Sequence, residues 1–398
     1  MIDAIQIEHF RSIPSQPVRI ANPIFLVGTN GSGKSNFADA FAFLGAAMEQ
    51  SLQTVFDRRG GMSVVRYRLP RSRFGNIGLA VDLSKLRSDD LEAPSAHYAF
   101  EVQDIGGVEV EVVREQCVIE LSNKRRFWFD RDAGTIRSNV PWVKELKGKW
   151  FGGSLAIPVI GSVSPFSLVH SVLKGMRVYS IDPEAVSGMQ DTDSGLTLHP
   201  NGNNAASVLA EIRGRAEHDY HRIGELLASV SSGIDEVRPS GQGKHMGFEF
   251  VQRWGDNNEL TFDAFNMSSG TLRALGILLA VYQRVRPSLM VIEEPEASLH
   301  PGAVNTILDV LRHASNQMQL IITTHSPEVL DSEWISDDNI RFVTWTEGKT
   351  TISDLTESSR SAIRKHLMGI GELLRSNALE PAGLLEDARK SKLFVDVE

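Results

Sequence analysis

Residues 28–35 read GTNGSGKS, and this stretch decides the fold of the 398-residue chain. It fits the pattern G-x-x-x-x-G-K-[ST], in which glycines let backbone N–H groups turn toward phosphate oxygens. The apolar run Ile24–Val27 before it predicts a buried strand, and Phe37–Leu52 after it predicts a helix. Strand, loop and helix in this order favour a phosphate-binding loop over an ordinary glycine-rich turn.

The phosphate-loop motif predicts roles for individual side chains. We expect Lys34 to reach the β- and γ-phosphates of a nucleotide and Ser35 to hold Mg²⁺. The N-terminus of the following helix adds a positive partial charge. The residues expected to contact ATP are Asn30, Gly31, Ser32, Gly33, Lys34, Ser35 and Asn36.

A second apolar segment ends in two carboxylates, since residues 289–294 read LMVIEE. A buried strand that ends in acids beside a phosphate loop can place one on Mg²⁺ and the other on water. We assign Glu293 to the metal, through a water molecule, and Glu294 to polarising the attacking water. The alternative is a strand that ends in two solvated acids.

Two further segments suit the same chemistry. Residues 321–326 read IITTHS, a strand after which His325 can bind and sense a γ-phosphate; the alternative is a structural histidine. Residues 266–271 read NMSSGT and precede an apolar helix from about Leu272 to Tyr282. Its Ser-Ser-Gly start offers a hydroxyl and free N–H groups to an anion, or is simply an N-cap.

The order of these four segments resembles the ABC-type ATPase head, over residues 1 to about 53 and about 260 to 345. In that family the Ser-Gly signature of one subunit closes over the ATP held by the other. The resemblance therefore implies ATP and Mg²⁺, a homodimer formed through ATP, and Ser268, Ser269 and Gly270 acting in trans. It also implies catalytic roles for Lys34, Glu294 and His325, with Ser35 and Glu293 at the metal.

The particular residues in two of the motifs indicate which branch of the ABC-type ATPases the chain resembles. Residues 293–301 read EEPEASLHP and residues 5–13 read IQIEHFRSI. Both are similar to the RecF/SMC-like and OLD-like predicted ATPases of the AAA family (AAA_21-like). The chain departs from transporter ATPases, which carry an Asp where Glu293 stands, and we identify no glutamine loop. By this resemblance the protein acts in DNA repair or anti-phage defence, together with a separate effector such as a nuclease or toxin.

The expected fold class is α/β. It is a P-loop NTPase of the ABC-head type, with a mixed, largely parallel sheet, an antiparallel β subdomain and a helical lobe. We expect a nucleotide-binding lobe with the antiparallel sheet over residues 1–170 and a helical lobe with an insertion over 171–265. Residues 266–345 complete the ATPase core, and 346–398 form a helical tail that docks a partner or packs on its own lobe.

Hydrophobic periodicity predicts the elements between the motifs. Residues 150–173 are expected to form a strand and loop under the nucleotide site, and 182–204 a turn-rich mobile loop. The last residues, 393–397, are a candidate edge strand. The expected strands are Ile77–Leu83, His97–Val102, Val108–Leu121, Arg126–Phe129, Gly247–Trp254 and Glu259–Phe265, and the expected helices Ala205–Arg213 and Glu217–Ser229.

Composition restricts the remaining function classes. The chain is 41% hydrophobic and 23% charged, typical of a water-soluble protein. The single cysteine, Cys117, excludes a disulfide framework or zinc finger within one chain and fits a reducing cytoplasm. We expect no signal peptide, since Asp3 and Glu8 lie near the N-terminus, and no membrane helix.

The formal net charge of −9 opposes binding of nucleic acid by the molecule as a whole. Two local patches differ. Residues 58–73 hold six arginines and no acid, and residues 124–151 hold eight Lys or Arg among aromatic side chains. Such patches suit DNA, or belong to solvated hairpins whose aromatic side chains face the core.

Other functions stay open. One rival hypothesis is a largely non-hydrolysing ATP-bound scaffold that holds an effector inactive. Another is the nucleotide-binding subunit of a transporter with a separate membrane partner. Asp191 and Asp193 form an Asp-x-Asp pair, which we interpret as a solvated loop and not a nuclease site. Since no heptads persist, we expect no coiled-coil arm. Too few residues follow His325 for a Toprim domain, so we expect the nuclease to be absent or supplied by another protein.

Overall fold

The computed structural model describes residues 1–68, 75–87, 92–106, 109–146, 152–255, 258–383 and 392–397. Its strands are β1 Ile2–Phe10, β2 Ile13–Arg19, β3 Ile24–Val27, β4 Ile77–Arg87, β5 Glu92–Ile105, β6 Glu109–Glu120, β7 Arg126–Asp132, β8 Thr135–Ser138, β9 Met176–Tyr179, β10 Gln190–Asp191, β11 Glu236–Gln242, β12 His245–Trp254, β13 Asn258–Asp263, β14 Leu289–Glu293, β15 Gln319–Thr324, β16 Ile340–Thr346 and β17 Lys349–Ser353.

Two short 3-10 turns, Ala264–Asn266 and Asp337–Asn339, accompany the helices. The helices are α1 Lys34–Ala47, α2 Leu52–Asp57, α3 Met62–Val65, α4 Pro141–Lys144, α5 Ile157–Ile160, α6 Ser167–Lys174, α7 Pro183–Ser187, α8 Ala205–Arg215, α9 Glu217–Val230, α10 Ser269–Tyr282, α11 Pro301–Ala314, α12 Pro327–Leu330, α13 Glu357–Arg364 and α14 Ile370–Arg375.

A six-stranded sheet in the order β17-β16-β3-β15-β14-β9 forms the centre of the protein. All its neighbouring strands run parallel except β17, which is antiparallel to β16. The carboxyl ends of parallel strands meet at one edge of a sheet, and the crevice there is where such folds bind ligands. The topology therefore brings the segments after β3, β14 and β15 together.

The central sheet is buried on both faces, which explains why its strands are almost wholly apolar. Ile24 and Leu26 point into one core with α1, whereas Phe25 and Val27 point into a second core with α10. Since successive side chains of a strand alternate between faces, α1 and α10 lie on opposite sides of this sheet.

A seven-stranded antiparallel sheet, β2-β1-β4-β5-β6-β7-β8, covers the α1 side. Leu79, Val81 and Leu83 of β4 enter the core shared with α1, whereas Ala80 faces outward. On the other side of the central sheet, α8 to α11 pack with a smaller sheet in which β12 lies between β10 and β11 and also pairs with β13. The expected α/β class with an antiparallel subdomain and a helical lobe is confirmed.

Several predicted elements differ from the structure. The helix after the phosphate loop begins at Lys34, three residues before Phe37, since the loop itself supplies its first turn. The strand expected within residues 150–173 is wrong for the described part: α5 and α6 lie there. A proline in the first turn of α5 needs no N–H partner and so begins a helix. Residues 182–204 hold α7 and β10 in place of a wholly irregular loop.

The C-terminal edge strand is also wrong. Residues 392–397 lie across the outer face of the antiparallel sheet with no strand pairing. The Gln116 side chain exchanges two hydrogen bonds with the backbone of Val395, at 3.0 and 3.1 Å, and Leu393 packs on Ala80 and Ala99. A side-chain amide takes the place of a partner strand, so no ladder forms; the described end of the tail packs on its own chain.

Candidate nucleotide-binding site

The phosphate loop joins β3 to α1 and depends on its glycines. Gly31 and Gly33 have φ of 77° and 102°, the left-handed region that favours glycine. At Gly28 a side chain would collide with the Val343 carbonyl of the neighbouring strand. α1 begins with Gly33 as its N-cap and has no side-chain cap, so the first-turn N–H groups have no side-chain partner. They are available to an anion at the helix N-terminus.

Side chains from distant segments support this loop from behind. The hydroxyl of Thr350 on β17 donates to the Ser32 carbonyl at 2.9 Å and lies 2.7 Å from the Ser12 hydroxyl. The Asn36 amide donates to that Ser12 oxygen at 2.7 Å. The Thr350 hydroxyl also occupies the place that a side chain at Gly33 would need. Polar contacts with β17 and the β1–β2 turn therefore hold the loop open.

Lys34 is buried at the base of the loop. Its ammonium donates to the carbonyls of Gly28 and Thr29, at 2.8 and 3.1 Å, and lies 3.9 Å from a Glu294 carboxylate oxygen. Burial lowers the pKa of Lys34 from its ordinary value, while three nearby carboxylates oppose that shift. The Lys34 ammonium is held mainly by neutral carbonyls, with one carboxylate at 3.9 Å. This arrangement suits a bound polyanion such as a nucleoside triphosphate.

Ser35 and Glu293 come into direct contact although 258 positions separate them. The Ser35 hydroxyl donates to the Glu293 carboxylate at 2.5 Å. Burial raises the pKa of Glu293, and the Ser35 hydrogen bond opposes that shift. A hydroxyl and a partly buried carboxylate are oxygen donors of the kind that Mg²⁺ takes together with phosphate oxygens and water. These two residues therefore fit a magnesium ion.

Glu294 lies just after β14 in an unusual backbone conformation. Its φ is 44°, in the left-handed region, and its N–H donates to the Thr323 carbonyl at 3.0 Å. A non-glycine residue held in that region is strained and typical of functional sites. One Glu294 carboxylate oxygen lies 3.3 Å from Nδ1 of His325, and both side chains are partly exposed. The pair can reach a water molecule or phosphate above the loop.

Glu296 is a third carboxylate at this edge, and it is not among the predicted site residues. It is 9% exposed, and one of its oxygens accepts from the Thr324 hydroxyl at 2.5 Å. Burial raises its pKa. The Thr324 hydroxyl also accepts from the Ser326 N–H at 3.0 Å, so Glu296 helps to position the turn that carries His325. Its place two residues after Glu294 is the only signal in the sequence that could have pointed to it.

Ser268, Ser269 and Gly270 lie at the start of α10. The Ser268 hydroxyl caps the helix by accepting from the Thr271 N–H at 3.1 Å. Both serines are exposed. Gly270 is required because a side chain there would collide with the Ser298 carbonyl. This segment, which we call the signature, therefore packs against the loop after Glu294 and presents its serines outward.

The structure thus brings five of the predicted site residues together: Lys34, Ser35, Glu293, Glu294 and His325. Asn30 and Gly31 lie on the exposed rim of the loop. Ser32 is buried and Asn36 bonds to Ser12, both as part of the loop's support. The signature starts a helix on the face of the sheet opposite α1 and makes its polar contacts with Thr271.

The basic patches are partly engaged with the protein itself. Arg59 pairs with Asp39 at 3.0 Å, and Arg66 with Asp104 at 3.4 Å. Arg58 and Arg68 are exposed, and residues 69–73 of this patch lie outside the described residues.

In the second patch Arg131 is buried beside Glu115, and Phe129 packs on Phe166 in the core. Lys124, Arg125 and Arg126 are exposed; residues 147–151 lie outside the described residues. Only part of each patch is therefore available to a partner.

The carboxylates of Asp191 and Asp193 contact different parts of the protein. Asp193 accepts from the Asn204 amide and the Gly195 N–H, both at 2.8 Å, whereas Asp191 faces His245 at 3.1 Å. Among the described residues no group of three or more His, Cys, Asp or Glu is arranged to hold a metal ion. The contacts of Asp193 instead stabilise the turn before α8.

Comparison with known proteins finds a family model that matches part of the chain. Residues 176–331 match the family model described as "AAA domain, putative AbiEii toxin, Type IV TA system". The matched segment holds the signature, the two carboxylates Glu293 and Glu294 at the end of β14, and His325, and it ends before β16. No curated protein matches the chain.

Solved structures of SMC heads share the fold. An SmcHead bound to the C-winged helix domain of ScpA has a TM-score of 0.54 at 13% identity, covering 90% of this chain and 98% of the other. A second Smc head, with an extended coiled coil and bound to the C-terminal domain of ScpA from Pyrococcus furiosus, has a TM-score of 0.53 at 12% identity, covering 92% and 99%.

The chain therefore has the fold of the SMC heads, and its predicted resemblance to ABC-type ATPase heads of the RecF/SMC-like kind is confirmed. Among the described residues, no helix has the length and apolar character needed to cross a membrane.

Proposed function

We propose that this protein binds and hydrolyses ATP as an ATP-sandwiched homodimer and acts as a switch on a separate effector. The observation that carries the proposal is the convergence of Lys34, the Ser35–Glu293 pair and the Glu294–His325 pair at the carboxyl edge of one sheet. These groups supply the cation, the metal ligands and the water-orienting carboxylate that phosphoryl transfer needs.

Each group has a distinct task in this proposal. Lys34 and the N–H groups at the start of α1 bind the phosphates. Ser35 and Glu293 would hold Mg²⁺, which neutralises charge on the phosphates. Glu294 orients water toward the γ-phosphate and His325 holds Glu294 in place while contacting that phosphate. Release of the γ-phosphate then removes the contact that His325 senses.

The dimer follows from where the signature lies. Ser268 and Ser269 are exposed and start α10 on the face of the central sheet opposite α1. The N–H groups at the start of a 14-residue helix attract an anion. We infer that the signature of one protomer completes the phosphate site of its partner and that ATP closes the pair.

The effector is a protein in this proposal, and the setting is cytoplasmic defence against phage or DNA repair. Two comparisons support a protein partner: the matching family model is described in terms of a toxin system, and both Smc heads were solved with a domain of ScpA. The exposed arginines and lysines of the two basic patches are candidate DNA contacts.

The proposal is tested with Glu294→Gln, which keeps the shape of the site and removes the carboxylate. ATP hydrolysis should fall by roughly 10²- to 10³-fold, while ATP binding is retained. Glu333→Gln, at an exposed position, is the matched control and should hydrolyse ATP like the parent.

The same variant identifies the partner. With ATP and Mg²⁺ in its native cell, Glu294→Gln should trap an assembly whose members mass spectrometry can name. Slow hydrolysis that the substitution leaves unchanged would refute the catalytic role and favour a non-hydrolysing scaffold. Recovery of an integral membrane protein would favour a transporter subunit.

A further inference from the structure

A cavity of about 500 Å³ lies where β2, β17 and α13 meet. Its apolar lining includes Pro17 and Val18 of β2, Ile352 of β17 and Leu355 just beyond it. The volume lies within the range of pockets that bind small organic molecules. None of the described residues of the phosphate loop lines it, so this is a separate site.

The charged side chains of the cavity are mostly positive. Arg19, Arg341, Arg360 and Arg364 line it, against the carboxylates of Asp354 and Glu357. Asp337 and Asp338 pair with Arg360 and Arg364, and Asp354 pairs with Arg341, so Arg19 is left without an ion pair among the described residues. An apolar cavity with an unpaired guanidinium at its wall favours a ligand that carries an anionic group on an apolar body.

The arginines divide into two kinds. Asp354 lies 3.0 Å from Arg341 and 3.6 Å from Arg360, so one carboxylate is shared between two partly or fully buried guanidiniums. Arg19 at the end of β2 is exposed, and Arg364 is half exposed. Arg364 already pairs with Asp337 at 2.7 Å, so Arg19 is the cation with room to meet an incoming anion.

Ser353 supplies an independent sign of a missing ligand. It lines the cavity, is 7% exposed, and its buried hydroxyl has no hydrogen-bond partner among the described residues. A buried polar group without a partner destabilises a protein, and most such groups are satisfied. A polar atom of a ligand in the cavity would satisfy it.

The cavity is also connected to the phosphate loop by one short strand. Ile352 exchanges backbone hydrogen bonds with the Gln16 side chain, and the N–H donates at 3.1 Å. Two residues earlier on the same strand, Thr350 donates to Ser32 of the loop. A ligand that fixes Ser353 would therefore restrain the strand that supports the loop.

We propose that this cavity binds a small organic anion, and that its occupancy strengthens nucleotide binding by ordering β17. The apolar body lies on Val18 and Ile352, and the anionic group meets Arg19. The linkage rests on the proposed nucleotide binding, whereas the cavity itself does not. By thermodynamic linkage, nucleotide must strengthen binding of the anion by the same factor.

The probe for the test is 8-anilinonaphthalene-1-sulfonate, an apolar ring system with one sulfonate, titrated by fluorescence against the full chain. Arg19→Gln should weaken its binding by about tenfold, the loss of one charge-assisted contact. Ala4→Phe, which adds a ring at the wall of the cavity, should weaken it further. Circular dichroism of each variant shows whether it is folded.

Arg286→Gln is the matched control, since Arg286 is an exposed arginine at a different cavity. It should bind the probe like the parent. Equal probe affinity in the parent, Arg19→Gln and Ala4→Phe, or no binding to the parent, would overturn the site.

The linkage has its own measurement. Calorimetric titration of ATP without Mg²⁺ should give about threefold or greater tightening in saturating probe, and Thr350→Val should abolish that difference. Equal ATP affinity with and without probe would overturn the linkage. A parent that binds no ATP under any condition would refute the proposed function and also the linkage, while the fluorescence result for the cavity would still stand.

Discussion

The phosphate loop and the signature are both glycine-containing helix starts, yet the protein surrounds them differently. The loop is supported by Thr350, Ser12 and Asn36, and its lysine is 5% exposed. The signature has a single capping serine, and both of its serines are exposed. One helix start is built into a nearly complete site, whereas the other is presented outward.

The difference indicates where a second protomer is needed. The loop lies together with Glu293, Glu294 and His325 within one chain, while the signature lies on the other face of the central sheet. In the account proposed here, substitutions in the loop should weaken binding of ATP by the monomer. Substitutions in the signature should leave that binding intact and affect only closure.

Loss of the buried lysine should have the largest effect. We expect Lys34→Ala to weaken ATP binding by roughly 100-fold or more, because the phosphates lose the buried ammonium group at the base of the loop. Lys349→Ala, at an exposed lysine beside the loop's supporting strand, is the control. Calorimetry measures both, and parental affinity in Lys34→Ala would show that residues 28–35 do not bind phosphate.

The signature should give the opposite pattern. Ser268→Arg places a bulky charge at the exposed helix start, so ATP turnover should fall by about tenfold or more if closure is required. ATP affinity of the monomer should remain within about twofold. Ser122→Arg, at an exposed position in the turn between β6 and β7, controls for the added charge. If Ser268→Arg leaves ATP turnover unchanged, the signature takes no part in the ATP site.

The support behind the loop should have a smaller effect. Thr350→Val keeps the shape of the side chain and removes the hydroxyl that donates to Ser32. Since one hydrogen bond contributes about 1 kcal/mol, ATP affinity should fall by about fivefold. Thr351→Val, one residue along the same strand, should have parental affinity. Equal affinities in both variants would show that β17 does not position the loop.

The smallest expected effect is on stability. Burial raises the pKa of Glu293, so its ionised form costs folding free energy at neutral pH, and the cost disappears as pH falls below the ordinary value of 4.5. We expect Glu293→Gln to raise the free energy of unfolding by roughly 1 kcal/mol at pH 7, and less at pH 5.

Urea unfolding at the two pH values measures this stabilisation, with Glu347→Gln as the exposed control. The gain should accompany loss of Mg²⁺-dependent ATP binding, because a metal ligand has been removed. A stability gain that grows as pH falls would contradict the assigned cause.

Much of the site was predictable because it is local in sequence. β3, the loop and α1 follow one another directly, and the strands before Glu293 and His325 are short apolar runs bounded by polar residues. Because β3, β15 and β14 pair in parallel, their carboxyl ends lie side by side at one edge of the sheet. The contact between Ser35 and Glu293 could therefore be expected across 258 positions.

The remaining features depend on tertiary contacts that leave little local signal. The supporting hydroxyl of Thr350 lies 318 positions from the carbonyl it bonds. β9 has only four residues and is a strand because it pairs with β14 at the sheet edge. The tail residues around Val395 have a strand-like composition, yet the Gln116 side chain bonds them in place of a strand.

The central claim is that the site is completed by a second protomer, and light scattering of Glu294→Gln tests it most directly. With ATP and Mg²⁺ the account predicts a particle of twice the 43.9 kDa monomer mass, returning to one monomer when Ser268→Arg is added. A mass that stays at one monomer while calorimetry shows ATP bound would contradict the account, and so would a dimer that Ser268→Arg leaves intact.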